Sequence, residues 1–270
     1  MRILLVGDVF GENGQKCVER LVPRLRERLA LDFVVVNGEN AARGLGIYDK
    51  QVRSLLKHGT DAITLGNHAL RQKEVFPVLN DETVPIVRPA NLQRLAPGRG
   101  MVFVDAIDAA SGAKVEVAVL NLMGSLYLDV GQSAFDIVDE LVEQALRRTP
   151  SLLVDMHAEA TSEKVAMGIH LDGRATAVVG THTHVQTSDA RILPGGTAYV
   201  TDLGMSGPHL GSVIGVRSDI IIKRFMRGIG DRFVPATEGV QLEGVVVDLD
   251  AATGRATAIE AIRIPDEPGL

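Results

Sequence analysis

Short apolar runs that stop on polar residues recur along the chain. Ile3 to Val6 stops at Gly7-Asp8, Phe33 to Val36 at Asn37-Gly38-Glu39-Asn40, and Ala62 to Leu65 at Gly66-Asn67-His68. Runs this short, rich in β-branched residues and bounded by glycine, predict strands. Between the first two lies a charged segment with leucines at helical spacing, from about Gln15 to Leu29, and a second helix is predicted near Asp49 to His58, closed by Lys57, His58 and Gly59. After Pro85 the texture changes. Met101 to Ile107 and Lys114 to Leu120 flank Asp108-Ala-Ala-Ser-Gly112, and Val245 to Leu249 and Ala256 to Ile264 flank Asp250-Ala-Ala-Thr-Gly254, so both pairs predict hairpins. Ser133 to Arg148 has an apolar stripe at helical spacing. Two more apolar runs then lead into histidines, Leu152 to Val154 before Asp155-Met156-His157 and Ala175 to Val179 before Gly180-Thr181-His182-Thr183-His184.

Early β-α alternation followed by hairpins predicts an α/β (or α+β) fold: two mixed sheets packed together and covered by helices, a four-layer αββα sandwich rather than a uniform barrel. Polar residues at the carboxyl ends of successive strands share one crevice in open sheets of this kind, because the loops there surround it. With 270 residues, 46% of them apolar, the chain can bury a large core, and no linker-like stretch divides it, so residues 1–270 are expected to form one domain. A formal net charge of −6 argues against a footprint for duplex nucleic acid. The lone Cys17 excludes disulfides within the chain and suits a reducing cytoplasm. No signal-peptide pattern opens the chain, and no run approaches the roughly 18 apolar residues of a membrane span.

Eight residues at strand ends carry candidate chemistry: Asp8, Glu39, Asn40, Asn67, His68, His157, His182 and His184. Each has a plain structural alternative. Asp8 and Asn67 suit helix caps, NGEN a polar turn, His68 the surface, and the two histidines of THTH a polar loop. Together they offer the oxygen and nitrogen donors of a centre holding two metal ions about 3.5–4 Å apart, an arrangement used for hydrolysis of phosphate esters and amides. Mixed imidazole, carboxylate and amide donors suit iron, manganese or zinc better than calcium. His58 and His170 fit helix ends and stand outside the set, while His209 lies in a glycine-rich stretch expected to be a loop. Competing signatures are missing: no phosphate-binding P-loop, GxGxxG, HExxH, CxxC or GxSxG is present.

In this order GDVFG, NGEN, GNHA, DMHAE and THTH, with TDLGMSGPHLGSVIG after them, resemble the calcineurin-like metallophosphoesterases, specifically their bacterial YmdB-like branch, from Met1 to about Gly215. The chain departs from the wider superfamily pattern at Phe10, Glu39, Ala69 and Thr181, departures that this branch shares. The resemblance implies one metal held by Asp8, Glu39, Asn40 and His184 and another by Glu39, Asn67, His157 and His182, with Glu39 bridging and His68 as general acid. Iron or manganese is the favoured metal. It further implies hydrolysis of small cyclic nucleotides, 2′,3′- or 3′,5′-cyclic, by a hydroxide bridging the metals. Alternatives are a phosphomonoesterase or nucleotidase, and a metal-binding nucleotide sensor without turnover. A small phosphodiester substrate, no membrane partner and a cytoplasmic location are expected, with a homo-oligomer left open.

Overall fold

The computed structural model describes residues 1–267. Its first half alternates strands and helices: β1 (Arg2–Val6), β2 (Asp8–Val9), α1 (Gly11–Leu29), β3 (Phe33–Asn37), α2 (Asp49–Lys57), β4 (Ala62–Thr64), α3 (Phe76–Leu79) and β5 (Ile86–Val87). The hairpin β6 (Met101–Ile107) and β7 (Lys114–Met123) follows, then α4 (Ala134–Leu146), β8 (Leu152–His157), α5 (Thr161–His170) and β9 (Ala177–Thr181). The remainder is β10 (Arg191–Ile192), β11 (Ala198–Val200), β12 (Met205–Leu210), β13 (Ser212–Val213), β14 (Val216–Arg217), α6 (Ser218–Arg227), β15 (Glu238–Leu249) and β16 (Ala256–Pro265).

Among the described residues two large mixed sheets form, in the strand orders β2-β12-β15-β1-β3-β4-β5, with β16 also on β15, and β10-β11-β9-β8-β7-β6. The α/β expectation holds in this arrangement. Side-chain alternation divides the core into layers. In the first sheet Leu4, Val6, Val34, Val36 and Ile63 face α1 and α2, where they pack on Leu21, Leu25, Val52 and Leu55. Their neighbours Ile3, Leu5, Phe33, Val35 and Ala62 face inward, against Val119, Leu153, Ala177 and Val179 of the second sheet. The outer face of that sheet, Leu152, Val154, Met156 and Val178, packs on Val138 and Val142 of α4 and Met167 of α5. Helix, sheet, sheet and helix therefore stack in four layers.

The inward phase has a consequence at the strand ends. Carried one step past the apolar residues, it places Asn37, Thr64, His157 and Thr181 between the sheets, where all four are buried. Both predicted hairpins close through an aspartate turn: Asp108 O accepts from Gly112 N at 2.7 Å and Asp250 O from Gly254 N at 2.8 Å. The first helix starts at Gly11 rather than near Gln15, because the polar residues before Gln15 form its first turn over β12. The glycine-rich stretch around His209 is not a loop; Met205–Leu210 is a strand paired with β2 and β15.

Candidate metal centre

The strand ends bring all eight candidate side chains into one linked cluster. Asp8 is fully buried in β2 and its Oδ2 accepts the His182 N–H at 3.1 Å. Its other oxygen, Oδ1, is buried without a hydrogen-bond partner and lies 3.9 Å from His184 Nε2. Burial, then the nearby charges of Glu39 and Asp202, push the Asp8 carboxyl well above the usual range. Such a carboxylate lacks a cation.

Glu39, 1% exposed, presents its two oxygens to two sides of the cluster. Oε1 accepts from Asn40 Nδ2 at 2.9 Å, whereas Oε2 lies 3.3 Å from His157 Nε2. Its turn is fixed by its own backbone N–H, which donates to Asn37 Oδ1 at 3.1 Å. Burial opposes the Glu39 charge, but the His68 ring and the His68 backbone N–H, the latter donating to Oε2 at 3.1 Å, hold the carboxyl below its ordinary range.

His157, His182 and His184 share one pattern. His184 Nδ1 faces the Ile214 carbonyl at 3.0 Å, a group that only accepts, so the ring donates there and its Nε2 is left bare toward Asn40 Nδ2 at 2.9 Å. His182 Nε2 faces the Glu159 carboxylate at 3.1 Å, leaving Nδ1 to point at His157 Nε2, 3.0 Å away. His157 is fully buried, and burial pulls its ring down to about 3, so it carries one proton at neutral pH. Its Nε2 also lies 2.8 Å from Asn67 Oδ1. Ligand atoms of Glu39, His157 and His182 fall within 4.8 Å of one another. Converging acceptors, an unpartnered buried carboxylate oxygen and imidazoles tethered at their far nitrogens are what a borderline divalent cation requires. The residues fit the metal that the strand-end pattern implies.

Asn40 and Asn67 do more than offer oxygen. Asn40 Oδ1 accepts from His68 Nδ1 at 3.0 Å, and Asn67 Nδ2 lies 3.1 Å from His68 Nε2, so the half-buried His68 ring is held between two amides at the edge of the cluster. Phe10 packs edge-on against His184 with ring centroids 5.6 Å apart. It sets an apolar wall against that side of the ring.

The loop carrying His182 and His184 is strained, with φ of 103° and 63° at these two residues. Asp202 holds it down: Oδ2 accepts from Thr183 N at 3.1 Å and Thr183 Oγ1 at 2.8 Å, and its charge is balanced by Lys164 Nζ at 2.7 Å. Sequence reasoning missed Asp202 and left Glu159 as a mere neighbour of His157. The alternation of β11 and the i+2 spacing from His157 would have pointed to them. His58 caps α2, bonding Ser54 O through Nδ1 at 2.8 Å, and His170 ends α5 beside Asp139 at 2.9 Å, both outside the cluster. His209 Nε2 contacts Met205 O at 3.1 Å.

Comparison with known proteins supplies the remaining observation. A family model described as YmdB-like protein matches residues 4–262. A Bacillus subtilis (strain 168) protein named 2′,3′-cyclic-nucleotide 2′-phosphodiesterase is 48% identical over 268 residues, covering 99% of this chain and 98% of the relative. A hypothetical protein from Thermus thermophilus superposes with a TM-score of 0.87 at 38% identity, covering 99% of this chain and 100% of the other. A Mycoplasma pneumoniae structure described as a novel phosphatase gives a TM-score of 0.87 at 34% identity, covering 98% and 93%.

Proposed function

This chain belongs to the YmdB-like family, and on that footing we propose that it is a metal-dependent phosphodiesterase that opens small cyclic nucleotides, 2′,3′-cyclic nucleotides first among them. The observation that carries the reading is the convergence of acceptor atoms from Asp8, Glu39, Asn67, His157 and His182, the Asp8 oxygen among them without any partner, with the His68 ring fixed at its rim. The 48% identical relative named for 2′,3′-cyclic nucleotides supports the substrate class.

In this reading one metal is held by Asp8, Glu39, Asn40 and His184 and a second by Glu39, Asn67, His157 and His182, with iron or manganese preferred and zinc acceptable to the same donors. When bound, the pair supplies an activated water near neutral pH and neutralises the nonbridging phosphate oxygens. The chain's own residues then have separate tasks. Glu39 serves both metals, because its oxygens already face the Asn40 and His157 sides. Asn40 would ligate through the oxygen that here accepts from His68, so metal entry and the orientation of that ring are coupled. His68, anchored through Nδ1, would act as general acid in its doubly protonated form, giving the departing ribose oxygen a proton from Nε2, the nitrogen that here faces the Asn67 amide nitrogen at 3.1 Å, as the phosphorus–oxygen bond breaks. Water supplies the new oxygen on phosphorus, and the product is a nucleoside monophosphate with the base still attached.

No arginine or lysine contacts the cluster through a hydrogen bond among the described residues apart from Lys164, whose charge is taken by Asp202. Charge neutralisation of the phosphate therefore falls to the metals and His68. A small diester and a cytoplasmic setting suit the acidic chain with its one buried cysteine; among the described residues no helix is long and apolar enough to cross a membrane.

Turnover of 2′,3′-cyclic AMP, 3′,5′-cyclic AMP and p-nitrophenyl phosphate should be compared for manganese-loaded wild type and His68→Ala. The 2′,3′-cyclic diester is expected to be preferred, and His68→Ala to lower kcat about 10²- to 10⁴-fold with manganese still bound. Preference for the monoester would assign the protein to the phosphomonoesterases. Full activity of His68→Ala would remove the general acid.

A further inference from the structure

Asp155 lies in the middle of an otherwise apolar strand, Leu152–His157, between the two sheets. It is 5% exposed and has no lysine or arginine partner among the described residues. Its hydrogen bonds cross from one sheet to the other. From the first sheet Asn37 Nδ2 donates to Oδ2 at 3.0 Å and Thr64 Oγ1 at 2.5 Å. From the second, Thr181 Oγ1 donates to Oδ1 at 2.7 Å. All three donors stand at the strand ends that carry Glu39, Asn67 and His182.

Proton counting makes this network directional. Thr181 Oγ1 stands 2.7 Å from Asp155 Oδ1, and with Asp155 ionised the one hydroxyl proton of Thr181 goes to that oxygen. The Thr181 oxygen is then an acceptor toward its other neighbour, His157 Nδ1, 2.9 Å away. A proton on His157 Nδ1 meets that accepting oxygen, which assigns the ring its Nδ1–H form. Its Nε2 is left as a lone pair facing Asn67 Oδ1 at 2.8 Å, His182 Nδ1 at 3.0 Å and Glu39 Oε2 at 3.3 Å. Three acceptors around a bare nitrogen require a cation.

We propose that Asp155 and Thr181 are positioning residues for the metal centre: Asp155 orients the Thr181 hydroxyl, Thr181 fixes the His157 proton on Nδ1, and Nε2 is thereby aimed at the metal. The same carboxylate acts on the bridging ligand, because Asn37, which donates to Asp155, accepts the Glu39 backbone N–H at 3.1 Å. Thr181 thus serves one metal ligand, whereas Asp155 serves His157 and Glu39 together. A valine at position 181 would preserve shape and β-branching while deleting the hydroxyl, and serine would restore it. This inference rests on the reading of His157 and Glu39 as metal ligands.

The test is calorimetric titration of chelator-stripped protein with manganese(II) chloride, for wild type, Thr181→Val, Thr181→Ser and Asp155→Asn, with the melting temperature of each stripped protein recorded. Groups that hold a metal ligand through its far side are worth about 10–100-fold in metal affinity. Thr181→Val is expected to lose that much at one manganese site with a melting temperature close to wild type, and Thr181→Ser to recover the affinity. Asp155→Asn is expected to weaken manganese binding throughout, since an amide has one accepting oxygen and cannot accept both from Asn37 and Thr64 on one side and from Thr181 on the other. Nitrogen-15 spectra of the stripped wild type, which need no variant, should show His157 protonated at Nδ1 and not at Nε2. Wild-type affinity in Thr181→Val, or a proton on Nε2, would overturn the relay alone. Wild-type protein that takes up no manganese would overturn the metal reading and the relay with it.

Discussion

At the scale of single residues, the cluster is built against its own stability. Asp8 keeps an unpartnered buried oxygen beside the charges of Glu39 and Asp202. Replacing it by asparagine removes a buried charge while keeping the volume. Asp8→Asn is therefore expected to stabilise the stripped protein by about 1–3 kcal/mol, the range for relieving an unsatisfied buried polar group, and to weaken manganese binding in the same sample. Urea unfolding with and without manganese reads both effects; a less stable stripped variant would mean that Asp8 is satisfied without metal. Cys17 behaves oppositely, as pure core. It is fully buried under α1, and burial pushes its thiol up to about 12, so it stays protonated and shielded at pH 8. Ellman's reagent should leave it unmodified in the native protein and titrate it fully in urea. Rapid native labelling would show α1 to open readily.

At the scale of elements, close approach of chain segments sets the site. Gly66 ends the third strand unit, and a Cβ there would fall on Glu39 Oε2 and the His157 ring, so Gly66→Ala is expected to abolish manganese binding with a folded chain. Circular dichroism and the calorimetric titration together check this. The strained THTH loop depends on Asp202, whose charge rests on Lys164, each 1% exposed at the side chain. Lys164→Met leaves Asp202 buried and unpaired, with an expected loss of about 3–5 kcal/mol in urea unfolding. A change under 1 kcal/mol (a ~5-fold shift in the folding constant) would show that water already serves this pair.

These elements also show how far the chain could be read in advance. The hairpins were legible because an Asp-Ala-Ala-Ser/Thr-Gly turn sits between apolar runs at both places. The candidate positions that the structure gathers into one cluster stood out because a polar residue at the end of an apolar strand is locally unusual. Asp155, Thr181 and Asp202 were not, because their meaning lies in partners 19 to 118 residues away that only the sheet packing brings near. The extra turn of α1 and the strand at Met205–Leu210 were hidden for a related reason: glycine and polar content argued locally for loops, and pairing with β15 and β2 overrode it.

At the scale of the whole molecule, two sheets meet face to face over an apolar core, and the end of that interface is closed by polar side chains from both. The cluster therefore belongs to neither sheet alone, and a metal held there would tie the two together. The most direct measurement is hydrolysis of 2′,3′-cyclic AMP by protein stripped with chelator and then restored with manganese. Adenosine monophosphate should form only in the restored sample, at a rate that saturates with manganese. Equal turnover in the stripped protein, or none in protein shown to hold manganese, would contradict a metal centre built for cyclic nucleotides.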